Sequence, residues 1–377
     1  MHAPLLVSIL AAFLFGSLVY CALMILAAQR YVAQPRAEGC CHPISVLKPL
    51  SGSDEGLEAN LRSFFEQDHP EFELLFAVRE LEDPAVPILQ ALQREFPLVP
   101  SRLIVTGEPR FSNAKVWSLH CMQAETKYDL LVMSDSDIRV RRGFLRSISA
   151  EFEDQNIAVA TCPYRAMAGR SLWSTLEAEG MNTEFLGGLL VARMLEGVKF
   201  TVGPTVAARK SAIEAIGGFR RLKDYLAEDF VMGKFAAEAG FGVVLSKTIV
   251  EHRIGSEDLR ANAAHRIRWA RSTRRSRPLG YIGQIFTHPL ALSLLLVAAH
   301  PAWWPALIPT IALRACAAWS MGRVLKAHPS WLLLPLQDLL SFGFWMAGFY
   351  GNTIVWRGRR YLLYSDGRFT PLSEPRA

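Results

Sequence analysis

No Cys-x-x-Cys pair occurs anywhere in the 377 residues. The six cysteines include the adjacent Cys40-Cys41 and two, Cys21 and Cys316, inside apolar segments. That spacing offers neither a structural zinc site nor a dithiol redox motif, and it leaves a reduced, cytoplasmic setting as the default. Internal repeats and low-complexity segments are also absent, so the chain is not a repeat array. The stretch Pro4–Ala28 contains no charged residue, and no basic segment precedes it. Without that basic start, and with more length than a signal-peptide core, residues 4–28 read as an uncleaved bilayer anchor. Acids are outnumbered, 35 Asp and Glu against 41 Lys and Arg, for a net charge of +6. Much of the excess lies near the apolar segments. Anionic lipid headgroups account for it at least as well as nucleic acid does, and no nucleic-acid partner is expected.

A second apolar mass lies at residues 284–356. His288 to Ala299 is marginal in length for a span, whereas Pro301 to Met321 and Trp331 to Trp356 are long enough, the latter with the single acid Asp338. Trp303, Trp304, Trp331 and Trp356 are placed as interfacial aromatics. The expectation is two spans plus one interfacial or third span, followed by a basic tail at 357–377. Buried helices of a soluble protein are the competing reading. Arg30 and Arg36 follow the anchor, and a dense basic run covers Arg266 to Arg277. Both put the intervening domain, residues 37–282, in the cytoplasm of a multi-pass membrane protein. Arg323 and Lys326 compete with Arg357, Arg359 and Arg360 for the inner side; with His288–Ala299 read as an interfacial or re-entrant segment, the C-terminus is expected in the cytoplasm.

Between those segments strands and helices alternate. Ile44–Leu47, Glu73–Val78, Arg102–Val105 and Asp129–Ser134 read as strands, and the apolar stripes between them as helices. This predicts an α/β domain on a parallel sheet, with a ligand at the carboxyl edge of the strands. Asp135-Ser136-Asp137 sits at that edge. Two carboxylates at i, i+2 on extended backbone share a side, repel, and suit a divalent Mn²⁺ or Mg²⁺ ion completed by a diphosphate. An ordinary Asp-rich turn is the bland alternative. Glu80 and Asp83 follow the second strand and could accept hydrogen bonds from a base or ribose, or be a solvated acidic loop. Lys48 follows the first strand and Lys115 opens a helix, positions that suit phosphate as well as a plain surface charge. Asp229, in Glu228-Asp229, is either a helix-dipole partner or a general base. His265, Arg268 and Trp269 share one helix face, with Arg266 elsewhere, and Arg268, Arg271 and Arg275 form a stripe that could rest on lipid.

Taken together, Ser45-Val46-Leu47-Lys48-Pro49-Leu50, Asp83-Pro84-Ala85, Ser134-Asp135-Ser136-Asp137-Ile138-Arg139-Val140, Ala227-Glu228-Asp229 and Arg268-Trp269 resemble the ceramide glucosyltransferase family of membrane glycosyltransferases, and within it the bacterial branch linked to hopanoid glycosylation. The resemblance covers nearly the whole chain. It implies a GT-A-type, Rossmann-like catalytic domain between membrane helices, a UDP-sugar donor and a lipid acceptor at the bilayer. It also implies that Asp135 and Asp137 hold metal and diphosphate, that Asp229 is the base, and that Arg268 and Trp269 act in catalysis. Lys48, Glu80, Asp83, Lys115, Asp135 and His265 fall to donor binding. Two departures stand out: Glu80 occupies the first acidic site, usually Asp, and His265 opens a motif that usually begins with Gln or Arg. The implied product is a glycosylated hopanoid, with glucosylceramide as the alternative. A polysaccharide synthase, disfavoured by the few polar residues of the C-terminal segments, and a non-catalytic basic protein of the membrane surface are the rival classes.

Overall fold

The computed structural model describes residues 2–39, 41–356 and 359–372. It divides into two compact units that interleave along the chain. A sheet unit comprises Arg36–Gly169, Val198–Gly255 and Trp356–Ala377, and a helical unit comprises Met1–Pro35, Arg170–Gly197 and Ser256–Val355. The expected contiguous domain 37–282 therefore gives up residues 170–197 and 256–282 to the helical unit. Cys40 and the tail residues 357, 358 and 373–377 lie outside the described residues.

In the sheet unit the strands are β1 (Ile44–Pro49), β2 (Phe72–Val78), β3 (Ser101–Val105), β4 (Leu130–Ser134), β5 (Ile138–Arg139), β6 (Ile157–Thr161), β7 (Tyr164–Met167), β8 (Thr205–Arg209), β9 (Gly242–Leu245) and β10 (Val250–Arg253). Seven form the main sheet in the order β3-β2-β1-β4-β8-β6-β9. The strands β1, β2 and β4 are buried throughout or nearly so, as expected for strands covered on both faces. Leu47, Leu75, Leu131, Met133, Val206 and Phe219 join in one core cluster. β1 to β4 run parallel, as the alternating pattern predicts. The all-parallel expectation fails at β8, which runs antiparallel to β4 and β6. Its first residue, Thr205, pairs with Ser134, the last residue of β4, so an incoming strand meets the carboxyl edge. A small sheet, β5-β10-β7, sits beside it and sets His252 opposite Ile138. Instead of an open basic tail, Arg359–Leu363 and Phe369–Pro371 form an antiparallel hairpin.

The helical unit begins with the helix His2–Ala33, which overruns the expected anchor 4–28 at both ends. Within it Pro4–Ala33 is long and apolar enough to cross a bilayer. The C-terminal segments are more broken than their composition suggests. Pro305 lies inside a 3₁₀ turn, Pro301–Ala306, so the segment Pro301–Met321 is split before the helix Leu307–Leu325. Trp331–Trp356 holds only the helix Leu334–Gly348, 15 residues. At 1.5 Å per residue that is about 22 Å, short of the ~30 Å hydrocarbon layer. The chain then turns at Gly351, φ +76°, into a strand from Thr353. Pro289–Ala299 meets Pro278–Thr287 at 66°, a broken span or a re-entrant loop. Among the described residues one helix qualifies as a span, or two if that bent pair is a single span.

The C-terminal segments are also less apolar inside than their composition suggests. Arg314 and Asp338 are both buried and form a bidentate pair at 2.7 and 2.8 Å. Thr183, on the π-helical turn Met181–Phe185, takes a further Arg314 N–H at 3.1 Å. The basic run does not form an open lipid-facing stripe. Arg271 donates to the carbonyls of Tyr350 and Thr353, Arg274 to those of Phe349 and Gly351, and Arg275 to Asn352. Helices leave their last carbonyls without intrahelical partners, and these guanidiniums cap the end of Leu334–Gly348 and the turn beyond it. Arg277 grips Glu196 through both carboxylate oxygens, at 2.6 and 2.7 Å.

Candidate active site

β4 carries the acid pair to the sheet edge, but not on extended backbone. Ile138 N donates to the Asp135 carbonyl at 3.3 Å, so residues 135–138 form a turn that sends the two carboxylates to different partners. Asp135 Oδ1 lies 2.7 Å from Lys115 Nζ, and Asp137 Oδ2 lies 3.1 Å from His252 Nε2. Three contacts hold the turn. Asp135 N donates to the Pro204 carbonyl at 3.0 Å, Asn60 Nδ2 to the Ser136 carbonyl at 3.3 Å, and Ser136 Oγ to Asp54 at 2.9 Å. From below, the fully buried Lys48 ammonium donates to the Asp135 carbonyl at 2.7 Å and rests 3.8 Å from the Phe64 ring centre. Lys48 therefore supports the acid turn from the core side.

Lys115 sits in the first turn of the helix Ala114–Gln123, whose start is fixed by the Asn113 side chain accepting from Val116 N. It does not wait there as an open phosphate ligand. Its ammonium bridges Asp135 and Glu228, 2.9 Å from Glu228 Oε1, while Asn113 Nδ2 donates to Glu228 Oε2 at 3.1 Å. Glu228 and Asp229 begin the helix Glu228–Glu238. Asp229 packs over Gly203: a Cβ there would fall 2.8 Å from Asp229 Oδ2, so any larger residue would push the carboxylate aside. The segment before Glu228 is strapped by the C-terminal hairpin. Phe369 N donates to the Asp224 carbonyl at 2.8 Å, Leu226 N to the Gly367 carbonyl at 3.3 Å, and Tyr225 pairs with Arg368.

Crowded acids set the electrostatics. Burial, and then the neighbouring Glu228, push the Asp229 carboxyl up to about 7. Burial also raises Asp135, against the pull of Lys115. At Asp137 burial opposes ionisation, but His252 and the two lysines outweigh it and hold the carboxyl below its ordinary value. Burial lowers the Lys48 ammonium to about 7, despite Asp135 and Asp137. For Lys115 burial is overcome by Asp135 and Glu228, which hold its proton more tightly than usual. A divalent cation fits the acid turn on one direct observation: Asp137 Oδ1 is buried and has no hydrogen-bond partner. Two carboxylates and an imidazole are an ordinary ligand set for Mn²⁺, and Asp135 with Asp137 alone would suit Mg²⁺.

The other expected site residues are distributed as follows. Asp83 takes backbone N–H groups from Gly52 at 3.1 Å and Ala85 at 2.9 Å, which ties the β1 loop to the loop after β2, and Glu80 is exposed in that same loop. His265, Arg268 and Trp269 belong to the helical unit, on the helix Leu259–Ser276. His265 Nδ1 lies 2.8 Å from Glu177 Oε1, and its ring meets Trp269 edge-on at 5.4 Å. Arg266 points elsewhere, as the helical spacing predicts, to Gln337 and Ser341. Among the described residues, Glu177, Glu257 and His265 are the one group that brings three potential ligand atoms within 4.8 Å of one another. The sequence reading missed His252, Asp54 and Glu228. Glu228 was visible beside Asp229, whereas nothing local marks His252, which reaches the turn only through the β5–β10 pairing.

The glycosyl transferase family 21 profile matches residues 9–369. Ceramide glucosyltransferase 1 of Caenorhabditis elegans is 30% identical over 205 residues, 54% of this chain and 44% of that protein. Ceramide glucosyltransferase of Komagataella phaffii is 31% identical over 144 residues, 37% of this chain and 27% of that protein. The chain thus spans less than half the length of these curated relatives. Among solved structures, the mannosyltransferase PcManGT from Pyrobaculum calidifontis, in complex with GDP-Man and Mn²⁺, superposes with a TM-score of 0.55 at 17% identity, covering 92% of this chain and 99% of that one. At that identity the likeness speaks to the fold.

Proposed function

The chain belongs to glycosyl transferase family 21, and from that premise we propose that it moves glucose or N-acetylglucosamine from a UDP-sugar to a hydroxyl of a membrane lipid, with inversion at the anomeric carbon. The observation that carries this reading is Asp229, a half-buried carboxyl raised to about 7 beside an acid turn. A base with that affinity is half-ionised at neutral pH, where proton acceptance from a hydroxyl is most effective. In the proposed step Asp229 accepts the hydroxyl proton while the hydroxyl oxygen bonds to the anomeric carbon. The bond from that carbon to the diphosphate breaks with its electron pair, and UDP leaves.

Asp135 and Asp137 would hold the divalent cation, Mn²⁺ or Mg²⁺, which would supply charge neutralisation for the diphosphate, and His252 steadies Asp137 at 3.1 Å. Lys115 holds Asp135 and Glu228 at fixed separation, and Lys48 fixes the turn that presents them. Glu80 and Asp83 are assigned to the nucleoside. His265, Arg268 and Trp269 are assigned to the diphosphate and acceptor end of the reaction, as the family resemblance implies. Addition of EDTA should abolish transfer and Mn²⁺ or Mg²⁺ should restore it; full activity in chelator would refute the metal assignment.

A lipid acceptor follows from the long apolar helix His2–Ala33. A catalytic unit tethered to a bilayer gains effective concentration only for a hydroxyl confined there. The proposed setting is a multi-pass membrane protein, in the inner membrane of a bacterium, with its sheet unit in the cytoplasm. The named relatives are ceramide glucosyltransferases, which supports ceramide, and the resemblance to the bacterial branch puts a hopanoid polyol first. Incubation with labelled UDP-glucose or UDP-N-acetylglucosamine and, in turn, hopanoid, ceramide and a soluble sugar decides between them. Label in the hopanoid is the expected result, label in ceramide alone reverses the order, and label only in soluble sugar overturns the lipid reading.

A further inference from the structure

On the sheet unit, the loop after β3, the helix Ala114–Gln123 and the helix Gly218–Leu222 enclose a cavity of about 420 Å³, lined by Arg110, Phe111, Trp117, His120, Arg220 and Lys223. None of these residues belongs to the acid cluster. We propose that this cavity binds a nucleoside phosphate, the base against the aromatic wall and the phosphate among the three cations.

The wall is built from three rings. Trp117 and His120, three apart, share one face of their helix. Phe111 stands edge-on to Trp117 at 5.0 Å and lies 5.5 Å from His120, whose ring centre is 5.9 Å from that of Trp117. Trp117 Nε1 donates to the Thr106 carbonyl at 3.2 Å, which fixes the plane of the indole. The rings are half-buried. Burial, then Arg220, disfavours protonation of His120, which keeps it a neutral stacking surface.

The charge is one-sided. Arg110, Arg220 and Lys223 are exposed, no carboxylate lines the cavity, and among the described residues none of the three forms an ion pair. Asp224, the nearest acid in sequence, takes the Ser112 hydroxyl at 2.8 Å. Arg110 already leans over the Trp117 ring at 5.5 Å, the packing that a stacked base and its phosphate would extend. Three like charges around an apolar floor attract a polyanion that also has a planar face. A phospholipid headgroup offers the phosphate without that face, so the rings favour the nucleotide.

Equilibrium dialysis of labelled UDP against the purified full chain in EDTA weakens any metal-dependent donor site and leaves intact the cavity, whose cations are side chains; the variants below assign the binding to it. One UDP per chain should bind, and added salt should weaken it. Arg220→Glu with Lys223→Glu should weaken binding roughly tenfold or more, Trp117→Leu by a comparable factor through lost stacking, and inorganic pyrophosphate should displace UDP only at higher concentration. Arg220→Ala with Lys223→Ala, at exposed positions, repeats the test if the reversals disturb folding as read by the thermal melt. UDP binding that none of these variants changes overturns the proposal. So does pyrophosphate binding as tightly as UDP. Variants that lose only sedimentation with phosphatidylserine vesicles, while keeping UDP, would make the cavity a lipid-headgroup site instead. Dialysis in chelator leaves the transferase reading untouched, so either can fail alone.

Discussion

Both units bury charge, and they do so in opposite ways. In the helical unit one guanidinium meets one carboxylate through two hydrogen bonds, Arg314 to Asp338, and the charges cancel. The sheet unit gathers four carboxylates, Asp135, Asp137, Glu228 and Asp229, around Lys115, His252 and a Lys48 whose ammonium is easily lost. The Arg314–Asp338 pair cancels in charge, although Arg314 Nη1 is itself buried without a hydrogen-bond partner. The other group is short of positive charge, leaves Asp137 Oδ1 without a partner, and raises Asp229 toward neutrality. Burial of charge alone does not mark a site; an imbalance that a cation or a proton transfer would relieve does.

The sharpest way to test this contrast is Asp229→Asn, which keeps size and hydrogen bonding but removes the base. Turnover should fall by roughly 10²–10⁴-fold, with donor binding intact and the melting temperature unchanged or raised, since a crowding charge is gone. Collapse of donor binding with turnover per bound complex retained would move the base elsewhere. Next in size is the closed pair. Asp338→Ala strands a buried guanidinium and should cost about 3–5 kcal/mol of stability, whereas Arg314→Met with Asp338→Leu should recover most of it. Denaturation in detergent reads both, and an Asp338→Ala protein as stable as the parent would dissolve the comparison. Smaller again is the pH effect. A raised carboxyl keeps its proton to higher pH, so the rate should climb about tenfold per unit below 7 and level off above it. A kcat profile of the parent beside Asp229→Asn, where that limb should vanish, checks the sign. Smallest is Arg271→Ala, which uncaps the carbonyls of Tyr350 and Thr353 and should lower stability by about 1 kcal/mol without altering the pH limb.

The parallel half of the sheet was legible because β1, β2 and β4 are covered on both faces and read as continuous apolar runs. β8 was not, since strand direction depends on the partner it returns to and leaves no mark on five residues. The acid pair was legible by its place after β4, yet its conformation was misjudged. Extended backbone would have aligned Asp135 and Asp137, and the turn separates them so that Asp135 meets Lys115 and Asp137 meets His252. His252 was invisible because its link to Asp137 spans 115 positions. The breaks within the C-terminal segments were not legible from composition: Pro305 and Gly351 interrupt runs that are apolar enough on average. Arg271, Arg274 and Arg275 illustrate the same limit, since a basic run looks identical whether it faces lipid headgroups or helix-end carbonyls.

The hairpin Arg359–Leu363 with Phe369–Pro371 gives this architecture an order in time. Its backbone bonds to Asp224 and Leu226 brace the segment that leads into Glu228 and Asp229, yet it is translated after every helix of the helical unit. A ribosome must read beyond residue 369 before the segment leading into Asp229 can be braced. The sheet unit is thus left unfinished until the helices between its pieces have been made. Nascent chains arrested before residue 359 and after residue 372, compared for transfer activity, would show the step directly.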